Sequence, residues 1–377
     1  MKNILIVIPS FEIGGTIVSV NSLLKNIDRD KVNVDVFARH HIGPFYNKLP
    51  NSSLLDENMW LSSAIYRRGN LYKMAFLFLK IIRNLFKLIG VNLYPIYSYI
   101  GGKQMGSDKY DAVISYQEDL NRVVAFYPAE KRIAWIHCDY KRYLSIIGKK
   151  NEEKIYERFD FVACVSNFVK RTFDSCYPQY AGRSVCIYNI IDKDYIIKRS
   201  KENIELDHRF KTDCFTIVSI GRLDSVKQFS IIPSIANELS KKYGESFVWY
   251  IIGGPDSSDE RRKIESNILN YGVDSFVKCL GEKANVYPYI KDSNLLVHTS
   301  KSESFSLVVN EAMALGIPVI MNDIEVAPEV INNGIDGIIV DLASMADTIH
   351  KVIKGDYHIV QKEFDVSKTV DIFYSII

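Results

Sequence analysis

Cysteine, long apolar runs and an excess of either charge are all scarce in this chain of 377 residues. Its six cysteines (Cys138, Cys164, Cys176, Cys186, Cys214 and Cys279) are scattered with no C-x-x-C pair. That spacing excludes a zinc ribbon or a disulfide framework and fits reduced core residues of a cytoplasmic protein. Lys and Arg number 47 against 45 Asp and Glu, a net charge of +2, so nucleic acid is not an expected partner. Charged residues interrupt every apolar stretch short of the roughly 20 residues a membrane span needs. The opening M-K-N-I-L-I-V-I-P-S is apolar but has neither a long hydrophobic region nor a small-residue cleavage site, and reads as a first strand. No G-x-G-x-x-G follows it, which removes the dinucleotide fingerprint. His40 and His41 lack a neighbouring ligand set, so neither a metal nor a cofactor is expected.

One absence is local. From Asn58 to Ser107 there is no acid, while Arg67, Arg68, Lys73, Lys80, Arg83, Lys87 and Lys103 supply seven cations. Between Leu71 and Ile89 the polar positions Lys73, Lys80, Asn84 and Lys87 fall on one helical stripe, with Phe76, Phe78, Leu79, Ile82, Phe86 and Ile89 elsewhere. Such a helix can lie on an anionic bilayer through residues 66–100, or pack on a sheet with its cations in solvent.

The rest of the sequence is dominated by short Ile- and Val-rich runs. In the first half these are Ile4 to Ile8, Val32 to Phe37, Ala112 to Ser115, Arg132 to His137, Phe161 to Val165 and Val185 to Tyr188. In the second they are Thr216 to Ile220, Val248 to Ile252, Val277 to Leu280, Leu295 to His298, Pro318 to Met321 and Gly337 to Val340. Continuous apolar runs suit strands buried on both faces, so the expected class is α/β, with two doubly wound parallel sheets. Helical patterns fill the gaps, among them Ile231 to Lys242, Asp259 to Asn270 and Val308 to Leu315. The polar stretch Asp192 to Asp213 is the expected linker. Domains are expected at 1–190 and 191–358, followed by a C-terminal helix within 359–377.

Ligands of such sheets bind at the carboxyl ends of the strands, so the residues after each strand are the candidates. Gly14 and Gly15 follow the first, where a glycine turn can let a helix present bare N–H groups to a phosphate, or can serve only as a turn. G-R-L-D-S-V-K-Q places Arg222 and Lys227 five apart in a loop entering a helix, where both cations can reach one diphosphate. Gly253 and Gly254 permit close backbone approach in I-I-G-G-P-D. His137 ends its strand, as a phosphate or hydroxyl partner or as a satisfied structural residue. In E-S-F-S-L-V-V-N-E, Ser306 read as a helix N-cap leaves Glu303 in the loop and sets Glu311 about 7.5 Å along the axis. Two carboxylates so placed can accept hydrogen bonds from hydroxyls at two ends of a nucleotide-sugar, with the helix start between them facing its diphosphate.

In order and spacing, G-R-L-x-x-x-K, G-G-P-D, E-x(7)-E, E-A-M-A-L-G-I-P-V-I and E-V-I-N-N-G-I-D-G resemble a family 4 retaining glycosyltransferase. The early Gly-Gly, His137, V-S-N-F-V-K and I-Y-N-I-I-D extend the resemblance into the first half. It implies a GT-B fold, two Rossmann-like domains facing across a cleft. It further implies a metal-independent enzyme that moves a sugar from a nucleoside-diphosphate sugar, UDP before GDP, to a glycan or lipid-linked acceptor in cell-surface polysaccharide synthesis. Carried over residue by residue, Arg222 and Lys227 would bind the donor diphosphate and Glu303 the sugar. Phe305, Ser306 and Leu307 would line the donor near their backbone amides, Glu311 would hold the ribose, Gly14 and Gly15 would lie under the diphosphate, and His137 would face the transferred sugar. Asn189 matches the family's hinge asparagine, and the last helix would cross back to the first domain. Two departures stand out: Lys227-Gln228 where the family has Lys-Gly, and E-S-F-S where it has E-G-F-G or E-P-F-G. A sugar-nucleotide 2-epimerase of the same architecture and a non-catalytic sugar-nucleotide-binding module are the alternatives.

Overall fold

The computed structural model describes residues 1–12, 14–148, 152–202, 210 and 214–377. The chain divides into two compact units, residues 1–190 with 365–377, and residues 191–364.

The first unit is built on seven parallel strands: β1 (Lys2–Ile8), β2 (Val32–Ala38), β3 (Ser53–Leu54), β4 (Ala112–Ser115), β5 (Lys131–Ile136), β6 (Phe161–Cys164) and β7 (Ser184–Cys186). Their order is β3-β2-β1-β4-β5-β6-β7. Ile4 of the central β1 lies opposite Val34 on one side and Ala112 on the other, and Ile4 to Ile8 are sealed from solvent, as both-face burial requires. Only β3, a two-residue edge strand, lies outside the apolar runs, because two residues carry no periodicity. The helix Val366–Ile376 belongs to this unit, with Phe373 fully buried and its ring 6.2 Å from that of Trp135.

The second unit has six parallel strands: β8 (Phe215–Ile220), β9 (Phe247–Ile252), β10 (Val277–Gly281), β11 (Leu295–His298), β12 (Val319–Asn322) and β13 (Ile338–Val340), in the order β10-β9-β8-β11-β12-β13. Both sheets reverse direction of travel once, between β1 and β4 and between β8 and β11, and such switch points open a crevice at the strands' carboxyl ends. The loops after β8 and β11 carry Lys227 and Glu303.

The polar stretch from Asp192 is not simply a linker. Asp192 accepts a hydrogen bond from the Tyr195 amide at 2.9 Å and caps the helix Lys193–Ser200, which buries Ile196 and Ser200 one turn apart and packs within the second unit. Residues 203–209 and 211–213 lie outside the described residues.

The basic segment forms the helix Asn70–Leu88, in which Phe76 alone is buried. Tyr72, Leu79, Ile82 and Arg83 are half-buried, and all but Ile82 share the side of Phe76. Met74, Leu77, Phe78, Ile81, Leu85 and Leu88 form the opposite stripe, exposed by 50% or more. The helix therefore leaves a continuous apolar stripe in solvent. Among the described residues no helix is long and apolar enough to cross a membrane.

Candidate active site

The loop after β8 turns at once. Gly221 has φ 159°, within the left-handed half of backbone space, and Gly253 at the end of β9 has φ 155°. A Cβ on Gly253 would lie 1.7 Å from the Gly221 carbonyl oxygen, so the two strand ends press backbone on backbone and Gly253 admits no side chain. Asp224 then folds the loop by accepting from the amides of Val226 (2.9 Å) and Lys227 (3.2 Å). The Thr299 hydroxyl donates to the Lys227 carbonyl at 2.8 Å, and the Lys301 amide to the Val226 carbonyl at 2.9 Å. Four hydrogen bonds thus fix where the Lys227 side chain starts.

That side chain meets Glu303. Lys227 Nζ is 2.6 Å from Glu303 Oε1, and both side chains are mostly buried, at 16% and 12% exposure. His298, the last residue of β11, brings Nε2 to 3.1 Å from the same oxygen. Burial, the largest influence on Glu303, would raise its pKa; the Lys227 ammonium and the His298 hydrogen bond outweigh it and hold the carboxyl well below its ordinary range. Burial lowers the His298 pKa, so the ring is neutral and donates from Nε2. The hydroxyls of Ser300 (3.3 Å) and Ser306 (3.2 Å) stand beside that nitrogen. One carboxylate oxygen is held by two donors while Oε2 has no partner among the described residues.

Ser306 occupies the N-cap of the helix Leu307–Ala314, but its side chain does not cap. Its backbone is left-handed (φ 56°, ψ 72°), which turns the hydroxyl to His298 and leaves the first helical N–H groups, from Leu307 on, without side-chain capping. Gln228 is also left-handed (φ 54°, ψ 32°). Both departures from the Lys-Gly and E-G-F-G patterns therefore fall where glycine alone is unstrained. Ser304 is not left-handed, and a glycine there is not required. Phe305 beside this turn is buried, at 8% exposure.

Glu311 lies further along the same helix, 8% exposed, and Oε1 accepts from the Tyr287 hydroxyl at 3.0 Å. Burial pushes its carboxyl up to about 7, with the Tyr287 hydrogen bond acting in the opposite sense. Arg222 does not join the cluster: its side chain is 83% exposed and sits 3.3 Å from Asp224. Gly254 has a backbone open to any residue, and a Cβ there would approach the Glu282 Cβ at 3.3 Å. His298 and Tyr287 escaped the sequence reading. His298 ends its run as His137 does, but no spacing marks it as a donor to Glu303, and nothing in sequence links Tyr287 to an acid 24 positions away.

In the first unit Gly14 precedes the helix Gly15–Asn26 in extended conformation (φ 172°), with nothing within 4 Å of a built Cβ. His137 follows β5. Its ring lies 5.1 Å from that of Tyr116, its amide donates to the Glu118 carboxylate, and burial pulls its pKa down to about 3. Its Nε2 is covered and has no partner among the described residues. Ser19 donates to Asn189 Oδ1 at 2.5 Å, tying that helix to the segment that follows β7. Among the described residues no three His, Cys, Asp or Glu side chains are grouped to hold a metal ion.

Residues 200–363 match the family described as glycosyl transferases group 1. An uncharacterized glycosyltransferase of Methanocaldococcus jannaschii is 26% identical over 68% of this chain and 64% of its own length. The N-acetyl-alpha-D-glucosaminyl L-malate synthase of Bacillus anthracis is 26% identical over 53% of this chain and 52% of its own. The matches thus span about half to two thirds of those relatives. Among solved structures, Anabaena HepE in complex with UDP and glucose superposes with a TM-score of 0.71 at 19% identity, over 100% of this chain and 99% of that one. Staphylococcus aureus TarM does so with a TM-score of 0.68 at 14% identity, over 94% and 93%. The fold is GT-B, and the match to the group 1 glycosyl transferases covers residues 200–363, under half of the chain.

Proposed function

We propose that the protein is a retaining, metal-independent glycosyltransferase that moves a sugar from a nucleoside-diphosphate sugar, UDP-linked, to a glycan or lipid-linked acceptor. The observation that carries this reading is the Lys227–Glu303–His298 cluster at the β8/β11 switch point, with Glu311 on the helix that follows. Lys227 supplies a fixed positive charge where a leaving diphosphate gains negative charge, and Arg222 is a second cation on the same loop, free to swing from Asp224. Charge relief of this kind needs no divalent ion. Glu303, kept ionised, accepts hydroxyl hydrogen bonds at the sugar end through Oε2, and Glu311 does so at the ribose end. HepE, which shares the fold, was crystallised with UDP and glucose. Gly14, Gly15 and His137 stand at strand ends of the first unit and are assigned the diphosphate and the transferred sugar on resemblance alone.

The acceptor side is proposed to work at the inner face of an anionic membrane. Residues 66–100 support this through the outward stripe of the helix Asn70–Leu88, its flanking lysines and the absence of acids.

The test is turnover of UDP-, GDP- and ADP-sugars by the intact protein, with and without excess EDTA. Turnover with a UDP-sugar that survives EDTA, and a loss of about two or more orders of magnitude in kcat for Lys227→Ala, are the expected results. A strict requirement for Mg²⁺ would overturn the mechanism, and donor binding without any consumption would overturn the enzyme assignment.

A further inference from the structure

Each of the two carboxylates has one oxygen occupied by a protein donor: Glu303 by Lys227 and His298, Glu311 by Tyr287. The second case is unusual in its chemistry. Tyr287 is itself 8% exposed, in the helix Tyr287–Lys291, and its ring meets that of Tyr195 at 6.3 Å in an edge-to-face contact. Tyr195 lies on the helix Lys193–Ser200, which packs on both the Tyr287 and Glu311 helices. The Tyr287 amide is held in turn by Asn285 Oδ1 at 3.2 Å, and Asn285 donates to the Arg199 carbonyl at 3.0 Å. The phenol is therefore clamped in position before any ligand arrives.

We infer that Tyr287 is a positioning residue for nucleotide binding: by donating to Oε1 of Glu311 it fixes the carboxylate's rotation and aims Oε2 at the ribose hydroxyls. The inference rests on Glu311 meeting the ribose. A buried carboxylate with no donor would turn freely and would hold its proton, and a protonated carboxyl accepts more weakly from two vicinal hydroxyls. Tyr287 opposes both. The other ionisable groups that act on this pair are Tyr195 and Arg199 on the helix packed against it, and Tyr195 in turn feels Arg199, Glu202 and Asp192. Burial already sets Glu311 near neutrality, so loss of the phenol hydroxyl moves its ionisation to higher pH.

The experiment is calorimetric binding of UDP, GDP and ADP to the intact protein between pH 6 and pH 9, using for the variants whichever nucleotide binds the wild type tightest. Tyr287→Phe keeps the ring and its Tyr195 contact. Its affinity is expected to fall about tenfold at pH 6, where fewer of the variant's Glu311 carboxyls are ionised than of the wild type's, and to recover to within about twofold of wild type by pH 9. In turnover, the donor KM rises while kcat stays within about twofold. A Tyr287→Phe affinity equal to wild type at every pH, with Glu311→Gln impaired, overturns the positioning role and leaves the ribose site standing. A loss of the same size at every pH, accompanied by a lowered melting temperature of the ligand-free variant, also overturns it, since a merely structural role predicts both. Unimpaired binding by Glu311→Gln overturns the ribose assignment and this inference with it.

Discussion

Burial raises the Glu311 carboxyl to about 7 from an ordinary 4.5, whereas Glu303, eight residues earlier, is held ionised by Lys227 and His298. The sign of each effect on stability follows. A folded-state pKa above the unfolded one means that the unfolded chain ionises first as pH rises, so Glu311 lowers stability progressively between about pH 4.5 and 7 and by a constant amount above. Glu303 acts oppositely, contributing stability above its unfolded pKa that is lost as pH falls through the folded value. Glu311→Gln should therefore stabilise the ligand-free protein by about 3 kcal/mol at pH 8 and hardly at all at pH 4, measured by urea unfolding at both pH values. Equal effects at both would show that Glu311 is ionised without cost. Residue identities at this scale were only half legible. The E-x(7)-E spacing and the Arg222/Lys227 loop could be seen because strand ends are visible in sequence. The donors that fix the two acids could not, since His298 and Tyr287 reach them through space. Gln228 and Ser306 were visible as departures, but their left-handed backbones are properties of the folded loops.

At the scale of elements, the helix Asn70–Leu88 separates two outcomes that sequence left open. Its cations could be counted in advance, but the face that would be buried could not, because apolar residues lie almost all round it and only tertiary contacts choose the side. The structure buries Phe76 and exposes the Leu77, Ile81 and Leu85 side. Leu77→Asp with Ile81→Asp should cut co-sedimentation with vesicles of phosphatidylglycerol and phosphatidylcholine at least tenfold, while the melting temperature moves by no more than about 2 °C, as for exposed positions. Undiminished vesicle binding by the double variant would remove this stripe from the membrane proposal. The strands were the most legible elements, since continuous Ile/Val runs survive any change of register. The helix from Lys193 was missed for the opposite reason: it buries only Ile196 and Ser200, too little to mark a period.

The whole molecule consists of one unit that is interrupted in sequence and one that is not. Residues 1–190 are completed by the helix Val366–Ile376, whose Phe373 is fully buried near Trp135. Phe373→Ala should cost the first unit about 3–5 kcal/mol, and calorimetry should show the loss in one unfolding transition while the nucleotide-stabilised transition stays in place. A loss shared by both transitions would mean that the units unfold together. Two sheets were legible from the way the strand pattern restarts after residue 213; the assignment of the last helix came from resemblance, since nothing in its composition names a partner. The interruption also bears on how the chain folds. The first unit's core cannot close until the chain has made the whole excursion through residues 191–364, a loop whose closure entropy grows with its length. Folding of the second unit replaces that wandering loop by a fixed insert. Substitutions that weaken the second unit should thus be felt in the first as slower docking of its final helix, a kinetic coupling that needs no shared surface.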